Sequence, residues 1–377
     1  MPPWSILLGA AGAAAALASA LADPSAAGPA AGQTWPAFVL VAGLLLIGLV
    51  ASADGLFEWA GAALARSLPD GRGLFAGAAA LVAVVSAVLN LDTAVAFLTP
   101  VMVHTARRRD GRGQVLVASC LLLANAGSLL LPGSNLTNLI VQSGHPIAGW
   151  TFLARMALPW LLAVAVTTAV IGGIGRTELS HRVEVDVRAA APVLEIGVGL
   201  VGVAAGVALM LALADPAPEV AAAGVAVAVW CLYRRRITVG QVRTTLGVPV
   251  LVGLFGLAVA LGTLGRAWNG PGRLLDHLDP WATAAVGAVV SVLVNNLPAA
   301  ALLSAHRPPH PLSLLIGLDL GPNLFVTGSL AWVLWAGAAR QAGAVPDLRG
   351  TVRMGLVAAP MALAAATGGL LLTTART

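Results

Sequence analysis

Apolar runs long enough to cross a bilayer alternate with short polar connections along almost the whole chain. Spans are predicted near 4–22, 36–63, 113–142, 150–174, 192–214, 219–233, 246–265, 311–338 and 353–373. About 20 apolar residues in an α-helix match the thickness of the hydrocarbon layer. Two further stretches, 74–105 and 281–305, depart from the pattern, because each carries a polar notch at its middle. The notches are Asn90-Leu91-Asp92-Thr93 and Asn295-Asn296-Leu297-Pro298. A helix broken there is expected to turn back as a re-entrant hairpin with two short arms. Irregular backbone is tolerated at membrane depth only where protein or a water-filled cavity surrounds it. The expected fold is therefore an all-α polytopic membrane protein, with about nine transmembrane helices, two re-entrant hairpins and broken helices at the midplane.

Composition agrees. Hydrophobic residues make up 58% of the 377 positions and charged residues only 10%, with a mean hydropathy of +0.90. A soluble domain is about a quarter charged, so this chain could not cover its core with polar residues. All 21 basic residues are arginines, scattered through short connections without interleaved aromatics. That pattern reads as membrane orientation and not as a nucleic-acid face. With both hairpins re-entrant, 16 of the 21 arginines fall on one side, leaving Arg155, Arg266, Arg273, Arg307 and Arg376 on the other. By the positive-inside rule the first set, and the N-terminus, is expected in the cytoplasm, with the C-terminus external. The segment before Asp23-Pro24 ends in small residues like a signal-peptidase site, but its leading region has no Arg or Lys. A retained span is the expectation. Cys120 and Cys231 stand alone in apolar stretches and are read as packed helix residues. No P-loop, metal set or cofactor motif is expected.

Val84-Val85-Ser86-Ala87-Val88-Leu89-Asn90 reappears as Val289-Val290-Ser291-Val292-Leu293-Val294-Asn295, 205 residues later. Each copy is followed by a span with a second polar break. Those breaks are Pro132-Gly133-Ser134-Asn135-Leu136-Thr137-Asn138 and Asp319-Leu320-Gly321-Pro322-Asn323. The charge sorting brings the two hairpins in from opposite faces. Two inverted-topology repeats are expected, over 1–175 and 219–377, with 176–218 as a linker carrying one helix.

Unwinding a helix frees backbone groups that lipid cannot satisfy, at several kcal/mol each. Half-helix N-termini suit an oxyanion or a polarised hydroxyl, and freed carbonyls at half-helix C-termini, with Asn and Thr oxygens, suit a hard cation. Asn both donates and accepts without adding a charge to bury. Glycine and proline at 132–133 and 321–322 supply the helix breaking. Asp92 and Asp319 are ionisable groups at membrane depth, where such groups are usually functional, and either could carry a proton. Asp54 and Glu58 are one helical turn apart and are expected to share a face, toward a cavity or toward the helix end. Asp276, His277 and Asp279 are expected in a solvated loop, and His104 and His145 at the interface. Single serines such as Ser86 and Ser291 commonly just bond across helices.

At these breaks the sequence resembles the bacterial arsenite permease family, within a wider ion-transporter superfamily. The resemblance rests on Gly55-Leu56-Phe57-Glu58-Trp59, Asn90-Leu91-Asp92-Thr93-Ala94 with Leu98-Thr99-Pro100, and Asn125-Ala126-Gly127-Ser128 with Ser134-Asn135-Leu136-Thr137-Asn138. In the second half it rests on Asn295-Asn296-Leu297-Pro298, Leu320-Gly321-Pro322-Asn323 and Gly328-Ser329-Leu330-Ala331 with Leu334-Trp335. It implies proton-driven export of arsenite and antimonite across the inner membrane by alternating access. It implies a substrate site of Asn90, Thr93, Gly133, Ser134, Asn135, Asn295, Asn296, Gly321 and Asn323, with Asp92 or Asp319 moving the proton. The chain departs from the family at the first tip, where Asn90-Leu91-Asp92-Thr93 stands for an Asn-Asp-Gly, and at Asn323, where a Lys often follows Gly-Pro; the second departure favours a neutral species such as As(OH)3, or a different solute. A sodium- or proton-coupled carrier of another small anion, or a sodium/proton antiporter, is the alternative. An ATPase partner subunit and a homodimer are both compatible with the resemblance. An enzyme would need a nucleophile–base pair or a metal set at membrane depth, and the sequence offers neither.

Overall fold

The structure is a computed structural model that describes residues 3–68, 70–107, 113–144, 146–180 and 197–374. His145, Arg108, Arg109, Arg112, Arg182, Arg188 and Arg376 lie outside the described residues. Every regular element among those described is helical. Among the described residues six helical stretches are long and apolar enough to span, one of them running through α12 and α13, and others are shorter pieces that meet at breaks.

The first half comprises α1 (Pro3–Ala22), α2 (Pro24–Ala53), α3 (Leu56–Ser67), α4 (Gly71–Val88), α5 (Leu91–Arg107), α6 (Gln114–Gly127), α7 (Leu136–Gln142) and α8 (Gly149–Ile174). The short α9 (Arg176–Leu179) follows, then α10 (Val198–Ala212), α11 (Ala217–Tyr233) and α12 (Val239–Leu246). The second half continues with α13 (Val248–Ala267), α14 (Gly270–Asp276), α15 (Pro280–Val294), α16 (Asn296–Leu303), α17 (Pro311–Leu320), α18 (Ala331–Gln341) and α19 (Leu348–Thr374). One-turn 3-10 segments, Pro132–Ser134 and Gly321–Leu324, sit inside the gaps between α6 and α7 and between α17 and α18.

Both notched stretches form hairpins. Leu64 and Leu68 pack over Gly77 near the start of α4, and Val101 near the end of α5 packs over Gly61, so one helix, α3, borders both arms. In the second half, Ala305 and the carbonyl of Leu302, at the end of α16, lie against Gly265 in the last turn of α13, and His306 borders Gly272 in α14. The chain leaves α13 and α14 to enter α15, so α16 returns to the face from which α15 departed. α2 and α13 run antiparallel, since Gln33 early in α2 accepts a 2.7 Å hydrogen bond from Arg266 in the last turn of α13. One hairpin follows the end of α2 and the other the end of α13, so the two enter from opposite ends of the molecule.

Small residues set the closest helix crossings. α1 lies against α13 with Gly9 and Gly12 facing the backbone of Pro249 and Gly253, so near that a Cβ on Gly12 would stand 2.1 Å from the Gly253 carbonyl. Such contacts replace the hydrophobic drive that lipid-facing helices lack. α11 packs on α2 in the same manner, through Gly43 and Gly224.

Three expectations change. The span predicted at 36–63 is two helices, because Gly55 adopts φ +79° and ends α2. Asp54 and Glu58 therefore do not share a helix face. Asp54 is buried, accepts from the Gly199 amide at the start of α10 (2.8 Å) and pairs with Arg236 (3.1 Å), while Glu58 is exposed. The stretch predicted as one span from 246 to 265 begins one residue before Gly247, whose φ of +52° separates α12 from α13. The segment predicted at 192–214 is described from Gly197 onward and contains the short α10. Cys120 and Cys231 are buried, as their apolar settings suggest.

Candidate functional site

The site is built where the two broken helices cross. α6 ends at Gly127, and the chain then runs through residues 128–135 without α-helical hydrogen bonding before α7 begins. The gap is held by its own side chains. Ser134 Oγ bonds the carbonyls of Ser128 and Leu131 and accepts from the Leu131 amide, and Asn138 Nδ2 donates to the Ser128 and Leu131 carbonyls. Trp160 Nε1 donates to the carbonyl of Gly127 at 3.0 Å. The second gap is closed in a related way. Trp332 Nε1 donates to the Pro322 carbonyl at 2.8 Å, and the Asn296 amide donates to Gly328 O at 2.9 Å. These partners offset the desolvation of carbonyls and amides that leave the helical ladder.

Between the two gaps runs a chain of buried polar groups. Asp319, near the end of α17, accepts from Asn135 Nδ2 at 3.0 Å and from the hydroxyl of Thr137, both at the start of α7. Asn135 Nδ2 also reaches Ser128 Oγ at 3.1 Å. Four residues beyond Asp319, Asn323 Oδ1 accepts from Asn125 Nδ2 at 2.8 Å, and Asn323 Nδ2 donates to Leu122 O at 2.9 Å. Asp319, Asn323, Asn125, Ser128 and Thr137 are fully buried, and Asn135 nearly so. Asp319 is thus an acid placed among neutral donors, and among the described residues it forms no ion pair.

Among the described residues several polar atoms here have no protein partner: Asp319 Oδ2 and Asn125 Oδ1 in the seam, Asn138 Oδ1 at the start of α7, and Ser329 Oγ in the second gap. At the first hairpin tip, Asn90 Nδ2 and Thr93 Oγ1 are likewise buried and unpartnered. Native interiors leave few such atoms, and each marks a place where a small polar solute or water would be bound.

The two tips share a backbone signature. Asn90 and Asn295 have φ of 149° and 75°, and among the described non-glycine residues only Arg235 also has a positive φ. Asn90 Oδ1 accepts from the Thr93 amide at 2.7 Å and so caps α5. Asn295 does the same for α16 through the Leu297 amide, more weakly at 3.4 Å. The helices packed behind the tips also match. Gly127 lies against Ala83 and Ser86, and Gly321 lies against Ala288 and Ser291, the same two positions 205 residues on. Ser86 donates to Ala124 O and Ser291 to Ala288 O, so both serines are helix-packing residues.

Among the residues expected at the site, the structure brings Asn135, Asp319 and Asn323 into one seam, with Ser134 bracing it. Gly133 lies beneath Met210 and Leu40, and Gly321 beneath α15. Asn296 is buried beside Gly328, while Asn295 is half-buried and donates to Thr327 O at 3.4 Å. Asp92 is half-buried at the start of α5 and does not join Asp319. Asn125, Thr137, Asn138 and Ser329 were not singled out by the sequence reasoning. Their signal was present in the polar strings at 125–128, 134–138 and 328–331, but one string alone does not say which residue faces its counterpart. Among the described residues no three His, Cys, Asp or Glu side chains come together to hold a metal. Asp279 caps α15 through the Ala282 amide, at 2.8 Å.

Comparison with known proteins places this architecture. The profile of the citrate transporter family, CitMHS, matches residues 3–317. The chain belongs to that family. It is a multi-pass membrane transporter and is similar to proteins named arsenical pump membrane protein. One from Escherichia coli is 25% identical over 336 residues, covering 80% of this chain and 78% of the relative. One from Escherichia coli strain K12 is 25% identical over 367 residues, covering 88% and 84%. A Yersinia enterocolitica protein of the same name is 25% identical over 338 residues. The solved structure of the Alcanivorax borkumensis YdaH transporter, titled as having an unusual topology, shares the fold. It aligns with a TM-score of 0.54 at 17% identity, covering 93% of this chain and 88% of that one.

Proposed function

We propose that this transporter exports arsenite or antimonite in exchange for protons, by alternating access between two inverted repeats spanning 1–175 and 219–377. The observation that carries the reading is the Asn135–Asp319–Thr137 cluster, a buried acid held by neutral donors at the crossing of the two broken helices. A neutral trihydroxide such as As(OH)3 offers three hydroxyl donors and acceptors and no charge. The free oxygens of Asp319, Asn125 and Asn138 suit such hydroxyls. Asp319 in its protonated and ionised forms presents different hydrogen-bonding partners to a hydroxyl, which links proton occupancy to substrate occupancy. Similarity to the arsenical pump proteins over 80–88% of the chain supports the same substrate class.

The family's description favours a second reading, a carrier of a citrate-like anion. The seam argues against it, because a tricarboxylate there would meet Asp319 and no cation. Arsenite uptake into everted membrane vesicles, with and without a proton gradient, separates the two. Gradient-dependent uptake is expected for the wild type and is lost in Asp319→Asn and Asn135→Ala. Citrate uptake without arsenite uptake would overturn the arsenite reading, and full activity in both variants would overturn the site.

A further inference from the structure

At the end of the molecule where the second hairpin enters lies a half-open cavity of about 820 Å3. Arg155, Arg266 and Arg307 line it together with Gln33, Ser304 and His310, and no Asp or Glu is among its described lining residues. These three arginines belong to the minority set apart by the charge sorting of the sequence, and the fold gathers them from α8, α13 and the turn after α16. Arg155 and Arg307 are exposed. Arg266 is half-buried, and among the described residues its guanidinium donates to neutral oxygens, Gln33 Oε1 at 2.7 Å and Gly262 O at 2.9 Å. A guanidinium has five donors in a planar fork that matches an oxyanion. Partial burial without a counter-charge is unfavourable, and a cavity carrying one sign of charge concentrates the opposite ion.

We propose that this cavity binds a phosphate-type oxyanion, seated on Arg266 and steered by Arg155 and Arg307, at a site separate from the Asn135–Asp319 seam. The separation follows from α7, which is capped by Asn135 and reaches the cavity only at its far end, Val141 and Gln142, about 10 Å along its axis. The site is nevertheless mechanically joined to the first gap and to the second hairpin. Gln33 Nε2 donates to Ile140 O in the last turn of α7 at 2.9 Å and to Ser304 Oγ at the end of α16, also at 2.9 Å. An oxyanion on Arg266 competes with Gln33 for the guanidinium, and so acts on the residue that ties together the ends of two half-helices. Phosphate could arrive free in solution or on a lipid headgroup, since Leu370, Leu371 and Leu312 give the cavity an apolar wall.

The test uses the purified full chain in nanodiscs of zwitterionic phosphatidylcholine, titrated with inorganic phosphate at constant ionic strength balanced with chloride. The thermal unfolding midpoint is expected to rise saturably. In Arg266→Gln the half-saturating concentration should rise about tenfold or more, and in Arg155→Gln or Arg307→Gln by a smaller factor. Arg266→Lys, which keeps the charge, should retain part of the response and guards against a variant that merely misfolds. Asp319→Asn should leave the response unchanged, which separates this site from the transport seam. Repeating the titration in phosphatidylglycerol nanodiscs identifies the source. A response that vanishes there, with Arg266→Gln lowering the midpoint, assigns the site to headgroups, and a response that persists assigns it to the free anion. A midpoint insensitive to both phosphate and lipid, or a rise equal in the wild type and all three glutamine variants, overturns the proposal.

Discussion

Asn90 and Asn295 hold matching places at the two hairpin tips and both have a positive φ, which L-residues rarely adopt, yet their surroundings differ. Asn90 and Thr93 are completely enclosed, and residues 131–138 of the neighbouring gap are buried with them. Asn295 is half-buried, and Phe325 and Thr327 in its neighbouring gap are exposed. The tip and gap of one half are thus enclosed by protein, while those of the other are exposed at Phe325 and Thr327. A symmetric protein would show two alike environments. Two related halves in unlike environments are what the alternating access proposed above requires of any single conformation. The polar seam belongs to both, because Asp319 of the exposed half is held by Asn135 and Thr137 of the enclosed one.

The largest effect should follow from cutting that shared seam. Asp319→Ala leaves the Asn135 amide and the Thr137 hydroxyl without their acceptor, at about 1–3 kcal/mol for each buried donor. Transport should be abolished and the unfolding midpoint lowered, whereas Asp319→Asn should lose transport with a smaller stability change. Next in size is Gly355→Ala in α19, whose added Cβ would stand 1.8 Å from the Asn323 carbonyl. Pushing the backbone of the second gap should destabilise by about 1–3 kcal/mol in chemical denaturation. The tips themselves should separate more gently. Asn90→Ala removes a tight, buried cap and should cost about 2 kcal/mol, against about 1 kcal/mol for Asn295→Ala. Equal losses would show that the two tips are energetically alike in spite of their burial. The mildest change probes access alone. Thr327→Cys should react readily with a maleimide and Thr93→Cys should not, and arsenite or a proton gradient should shift the two rates in opposite directions.

Much of this was legible in the residues, for reasons that can be stated. The positions of the breaks were readable because Asn, Asp, Gly and Pro are conspicuous in an apolar run. The repeat was readable because the same packing, Ala83 and Ser86 under Gly127 and Ala288 and Ser291 under Gly321, demands the same small residues twice. The break at Gly55 was not readable, since one glycine in a helical run is usually tolerated and only its positive φ ends α2. Asp54 was equally opaque, because its partners, Gly199 and Arg236, are more than 140 residues away.

The sequence by itself determined that the chain lives in a membrane, where its helices are interrupted, and that the interruptions come in two related sets. Hydrophobic length and local helix breaking are properties of short windows, and a window can be read without its neighbours. Only the tertiary structure decided which polar atoms meet. Asn135 finds Asp319 and Asn125 finds Asn323 across almost 200 residues, because buried donors must find acceptors wherever the packing of α6, α7 and α17 places them. The enclosure of one tip and the exposure of the other were decided there too, since burial is set by what packs around a residue and not by the residue.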